Sequence, residues 1–173
     1  MKTLGSASSL YRTSFLILIS LVLSNISARA QEHAMDTSES KVAHLTLVAG
    51  DLKWGDGPAG LPAGAQASLL EGDPSKTGLF TLRLKFPANY KIPAHWHSAD
   101  EHVTVLSGTL MIGMGDSFDG KKMKSLPAGS YASMPAKSNH FAMADGETVI
   151  QIHAMGPFAI TYINSADDPR NKK

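Results

Sequence analysis

From Val42 onward the chain breaks into short apolar stretches separated by Gly, Pro, Asp and Asn, and no stretch sustains a helical period. Length and alternation predict strands over Val42 to Val48, Ala67 to Leu70, Leu79 to Phe86, His95 to His97, Glu101 to Leu106, Thr109 to Met114, Ser130 to Met134, Thr148 to Met155 and Phe158 to Ile163. The divisions fall on turn-forming residues: Gly72-Asp73-Pro74, Ser107-Gly108, Asp119-Gly120, Pro127-Ala128-Gly129, Asp145-Gly146 and Gly156-Pro157. Many short strands punctuated in this way predict an all-β sandwich or barrel over residues 42–173.

The first thirty residues follow another pattern. Lys2 and Arg12 precede an uncharged apolar run from Phe15 to Leu23, and Ser24 to Ala30 ends in Ala28-Arg29-Ala30. This is the layout of a secretory signal peptide cleaved after Ala30. At about 1.5 Å rise per residue the run is far too short for the roughly 30 Å hydrocarbon core, which argues against a membrane anchor. Residues 31–41 are polar and unpatterned, a short flexible lead-in. Export to the periplasm or the medium is the expectation, with no membrane association after cleavage.

Composition narrows the chemistry. With 173 residues, 43% hydrophobic and 18% charged, the chain can bury a sizeable core but has room for little more than one domain. Loss of Lys2, Arg12 and Arg29 leaves 13 basic against 15 acidic residues, a net charge near −2. Lys121, Lys122 and Lys124 form only a short basic cluster, a solvated loop face, so no electrostatic footprint for nucleic acid is present. Cysteine is absent, which excludes disulfides, thiolate sites and cysteine nucleophiles. Any metal must bind through nitrogen and oxygen. Gly55 to Gly60 has the spacing of a dinucleotide-binding loop, but Pro58 and Pro62 stand where the following helix would need backbone donors, so a Gly/Pro-rich loop is expected.

Of the seven histidines, five fall between positions 95 and 153. Side chains at i and i+2 on a strand share a face, so His95 and His97 can aim at one point while Trp96 faces away. A hairpin at Ser98-Ala99-Asp100 would place Glu101 across from His97. Two imidazoles and a carboxylate suit a divalent transition ion: iron, manganese, nickel, copper or zinc.

His95-Trp96-His97-Ser98-Ala99-Asp100-Glu101, with six residues between Glu101 and Gly108, resembles the first motif of the cupin superfamily. Gly129, Pro135 after five intervening residues, and then His140 resemble the second motif. The resemblance runs from about Leu79 to Ile163. It implies a single jelly-roll β-barrel holding one metal on His95, His97, Glu101 and His140, substrate access through the open end, and a homodimer built on an outer sheet. Three positions depart from the pattern. Asn89 stands where the family has a leading Gly, and Asn tolerates a left-handed backbone, so that turn is expected to survive. Lys137 replaces the Gly after Pro135, leaving the backbone type of that turn open. Ala144 replaces the closing Asn.

His102 is expected on the opposite face from Glu101, as a structural or surface residue. In Thr148 to Met155, Val149, Gln151 and His153 share one face while Ile150, Ile152 and Ala154 share the other. If the first face looks inward, Gln151 would line the substrate pocket and His153 could transfer protons beside the metal; otherwise they form a hydrogen-bonded structural pair. Tyr131 and Tyr90 are weaker pocket candidates. Three functions follow: a metal-dependent, oxygenase-like enzyme acting on a small organic molecule, with Glu101 as ligand or base; a non-catalytic small-molecule or metal-binding module; or an isomerase or epimerase relying on His153 as base.

Overall fold

The computed structural model describes residues 44–172. The expected signal peptide, the lead-in and the first two residues of the expected barrel domain lie outside the described residues.

Among the described residues there are nine strands: β1 (Gly55–Asp56), β2 (Gln66–Glu71), β3 (Gly78–Phe86), β4 (Lys91–His97), β5 (Glu101–Met114), β6 (Lys124–Pro127), β7 (Tyr131–Met134), β8 (His140–Gly156) and β9 (Ile160–Tyr162). Every ladder is antiparallel. The two long strands β5 and β8 pair with each other and form the spine. On its other edge β8 bonds β4 near its start and β3 along its second half, while β5 bonds β7 near its start and β6 farther on. Each long strand thus serves two different neighbours, and the sheet curls into an antiparallel jelly roll.

The interior is filled by one face of each strand. Phe80, Leu84 and Phe86 of β3, Val103, Val105, Leu110 and Ile112 of β5, and Ile150, Ile152 and Ala154 of β8 are all buried in one cluster. In β5 the inward positions change from odd to even between Val105 and Leu110. A period-2 strand can do this only by absorbing an irregularity, and the register with β8 shifts at Val105, Ser107 and Thr109. Gly108 carries the bulge at φ +72°, in the left-handed region. Thr148, fully buried, seals it: its Oγ1 donates toward the Thr109 carbonyl at 3.0 Å and accepts from the Thr109 N–H at 3.2 Å.

These bulges correct the expected boundaries. Ser107-Gly108 and Asp145-Gly146 bend two continuous strands; they do not end them, because the partner strand bends in step and the ladder resumes beyond each kink. The segment Val42 to Val48 was expected to be a strand, yet residues 44–48 form none and Leu45, Leu47 and Val48 are exposed. Strands β1 and β6, and the first half of β8, carry too little alternation to be anticipated. No helix follows Gly55 to Gly60. That loop lies across one end of the barrel, where the Tyr162 hydroxyl donates to the Gly60 carbonyl at 2.7 Å and the Tyr90 hydroxyl to the Pro62 carbonyl.

Both substituted turns keep the backbone that glycine would give. Asn89 and Lys137 each sit at φ 61°. Lys137 accepts this strained geometry, typically about 1–2 kcal/mol for a side-chain-bearing residue, and its N–H donates to the His97 carbonyl at 2.9 Å.

The bulge supplies a stability test. A Cβ on Gly108 would collide with the Glu147 carbonyl oxygen and crowd the Thr148 hydroxyl, in addition to the left-handed strain. Gly108→Ala should lower unfolding free energy by about 1–3 kcal/mol in denaturant titration; an unchanged midpoint would contradict the bulge.

Candidate metal centre

Four buried donors meet inside the barrel, and all come from strand ends. β4 delivers His95 and His97 near its finish, while Glu101 and His140 are the first residues of β5 and β8. His95 and His140 are register partners, with ring centroids 4.2 Å apart. One ligand atom from each of His95, His97 and His140 lies within 4.8 Å of the others. Glu101 Oε2 is 3.6 Å from His97 Nε2 and 3.4 Å from His140 Nε2.

The hairpin expected at Ser98-Ala99-Asp100 does not form. β4 pairs with β8 and β9, and the first residues of β5 pair with β7 and β8, so residues 98–100 cross between layers. The polar residues of this crossing fix it. Ser98 Oγ donates to the Pro157 carbonyl and accepts from the Ala159 N–H, both at 2.9 Å, while Asp100 accepts from the Ala136 N–H at 2.7 Å. His97 and Glu101 therefore converge through the interior and not along a ladder.

Backbone carbonyls determine which ring nitrogen each histidine offers. Nδ1 of His95 bonds the Pro93 carbonyl at 2.7 Å, Nδ1 of His140 the Ser138 carbonyl at 2.8 Å and Nδ1 of His97 the Ala159 carbonyl at 3.2 Å. A carbonyl only accepts, so each Nδ1 carries a hydrogen and Nε2 is the nitrogen that each ring turns inward. Burial, reinforced by the neighbouring His140 and His97 imidazoles, pushes His95 down to about 3. Burial likewise lowers His97, against the opposing pull of Glu101. For Glu101 burial alone would raise the carboxyl, but the imidazoles of His140 and His97 more than offset it and hold it low. Three imidazoles with Nε2 turned inward and one carboxylate give a nitrogen and oxygen donor set around one point. That chemistry fits a divalent cation.

The centre borders a cavity of about 220 Å³. Among the described residues that line it, all apart from His95, His97, Glu101 and His140 are apolar, including Phe80, Met134 and Phe158. Phe158 stacks on His97 at 4.4 Å between centroids and 15° between planes. Sequence reasoning had Phe158 as the first residue of a strand and missed its place at the chamber; the strand begins at Ile160 and Phe158 lies in the loop before it.

His153 and Gln151 do not reach this cavity. Ile150 and Ile152 of β8 line it, so by alternation Gln151 and His153 face outward. There they form a chain: Arg83 Nε donates to Gln151 Oε1 at 2.9 Å, Gln151 Nε2 lies 2.8 Å from His153 Nε2, and His153 Nδ1 lies 3.0 Å from Thr81 Oγ1. The expectation of a proton-transferring His153 and a pocket-lining Gln151 is corrected on this ground. Tyr131 is likewise outside, exposed and 2.6 Å from His102 Nδ1 through its hydroxyl. Tyr90 is buried, stacked on Phe86 at 4.9 Å, as a packing residue.

Residues 24–161 match the model of a family described as a domain of unknown function, DUF4437. Among curated proteins no sequence matches this chain. Similar solved structures include a candidate acetylacetone dioxygenase from Methylibium petroleiphilum, at 19% identity over 75% of this chain and 88% of that one, with a TM-score of 0.57. The polyketide cyclase RemF from Streptomyces resistomycificus is similar at 14% identity over 74% and 91%, with a TM-score of 0.57. An RmlC-like cupin from Shewanella frigidimarina is similar at 16% over 65% and 90%, with a TM-score of 0.50. At these identities the likeness establishes the fold, the cupin jelly roll.

Opposite fates are expected for two histidines. His140→Ala should lose metal, with affinity down by at least about tenfold in equilibrium dialysis, whereas His153→Ala should keep the metal content of the unaltered chain. The reverse pattern would move the site to the outer face.

Proposed function

We propose that this chain, which belongs to the DUF4437 family, is an exported metal-dependent cupin enzyme that acts, in the manner of an oxygenase, on a small and largely apolar organic molecule. One observation carries the reading: three buried imidazoles, each oriented by a backbone carbonyl, turn Nε2 toward a buried carboxylate at the wall of an apolar chamber.

His95, His97 and His140 would hold one divalent transition ion, with Glu101 as a fourth ligand. Such an ion would supply Lewis acidity toward a substrate oxygen and, if redox-active, a route to dioxygen chemistry. The chain's own residues set the rest. Among the described residues lining the chamber, Glu101 is the only side chain besides the three imidazoles that can exchange a proton. Held ionised, it would serve as base toward an acidic C–H or O–H of the substrate when it is not a ligand.

The chamber also selects. Its volume of about 220 Å³ suits a compact organic molecule. Sugar hydroxyls would be buried there without partners, at several kcal/mol in total, which removes sugars as substrates. Small enediols and diketones would fit, with their oxygens toward the four donor residues and their carbon skeletons on the apolar wall. The isomerase alternative loses its base, because His153 faces the other side of the sheet.

Export is part of this reading and is supported by Lys2, Arg12, the apolar run from Phe15 to Leu23 and Ala28-Arg29-Ala30. So is a homodimer through the outer sheet, where the register partners Leu79 and Met155 are both exposed.

The test is reconstitution with Fe(II), Mn(II), Ni(II), Cu(II) and Zn(II), followed by dioxygen uptake with a small β-diketone and an enediol. One metal per chain and substrate-dependent uptake are expected, with Glu101→Gln slower by about a hundredfold. Stoichiometric ligand binding without turnover by any metal form would replace the enzyme with a binding module.

A further inference from the structure

The chamber is bounded on most sides by residues that strands hold rigidly, such as Phe80 and Phe86 of β3, both essentially inaccessible to solvent. Phe158 differs. It lies in the connection between β8 and β9, is half-buried, and lines the chamber while stacking on a donor imidazole. Of the lining residues outside the donor set, it alone has an aromatic contact with one of the three imidazoles among the described residues.

Its position is fixed from both sides. The Phe158 N–H donates to the Pro74 carbonyl at 2.8 Å, and its ring meets Phe80 at 5.3 Å and 60°. Pro157 accepts from Ser98 Oγ, and Ala159 bonds Ser98 Oγ through its N–H and His97 Nδ1 through its carbonyl. Three consecutive residues therefore orient His97 and set a flat apolar wall against it. A wall so anchored does not yield to a bulky substituent.

We propose that Phe158 is the specificity-determining residue of the chamber, restricting the centre to compact oxygen chelators by blocking the space beside His97. The inference rests on the metal-dependent reading above and deepens it. A ligand that binds the metal through two oxygens must place its substituent in the apolar chamber. There a methyl group can be accommodated and a phenyl group meets the Phe158 ring.

The probes are acetohydroxamate and benzohydroxamate, which share one chelating group and differ as methyl and phenyl. Titration calorimetry on the Co(II)-loaded full chain should give a preference for acetohydroxamate. In Phe158→Ala, benzohydroxamate affinity should rise by about tenfold while acetohydroxamate affinity and cobalt content stay near those of the unaltered chain. Phe158→Leu, which keeps an apolar side chain and serves if the Ala variant does not fold, should move selectivity the same way. Phe158→Tyr should retain the original preference, which loss of packing alone would not give. An unchanged ratio of the two affinities in the Ala and Leu variants overturns the assignment while leaving the metal reading intact. Failure of the unaltered chain to take up cobalt removes the metal reading and this inference with it.

Discussion

The commitment of three Nδ1 hydrogens to backbone carbonyls is the constraint on which the rest of this molecule turns. An imidazole buried among apolar strands has two nitrogens to satisfy and only one orientation that keeps the other free. Here the acceptors are the carbonyls of Pro93, Ser138 and Ala159. For His95 and His140 the acceptor lies two residues earlier in the same chain segment, so local backbone geometry presets the ring before any tertiary contact forms. His97 instead uses a carbonyl sixty-two positions away, which makes the connection between β8 and β9 part of the centre. Tautomer, lone-pair direction and loop placement are one linked arrangement.

That arrangement requires a barrel in which β4, β5 and β8 bring their ends to one place. The bulge at Gly108 is what allows β5 to do this while lining the interior along its whole length. Without it Leu110 and Ile112 would point outward, and the apolar face would change sides halfway along the strand. Lys137 shows the same priority of geometry over propensity. It occupies a left-handed position that favours glycine, and its N–H anchors the strand that carries His97.

Much of this was legible beforehand, because strands with a period of two and turns rich in Gly and Pro leave local marks. β2, β3 and β7 lie within a few residues of where alternation puts them, the spacing of His95, His97 and Glu101 marks three residues that converge, and His140 is added only by the resemblance to the second cupin motif. What was not legible depends on partners remote in sequence. Ser107-Gly108 and Asp145-Gly146 carry turn chemistry in isolation. Only the ladder between β5 and β8 converts both into bends of continuous strands. Residues 98–100 have hairpin composition, yet Ser98 and Asp100 spend their polar groups on Pro157, Ala159 and Ala136, none of them near in sequence. Phe158 was expected only as the first residue of a strand running to Ile163; the strand starts at Ile160, and nothing local marks Phe158 as a wall of the chamber.

The fate of His153 shows how the faces of one strand are assigned. Alternation separates Val149, Gln151 and His153 from Ile150, Ile152 and Ala154 without saying which set turns inward. Free energy decides it. Burying the Ile face removes more apolar area from water, whereas burying Gln151 and His153 would demand partners that an interior of Phe80, Leu84 and Val105 does not offer. On the outer face the same two residues find Arg83 and Thr81 directly across the ladder and are satisfied. A chamber built this way takes its polar groups from strand ends and most of its walls from strand interiors, with Pro58, Leu61, Pro74 and Phe158 added from loops. The ionisable groups that line it are then confined to strand ends, and the remainder of the described lining is apolar.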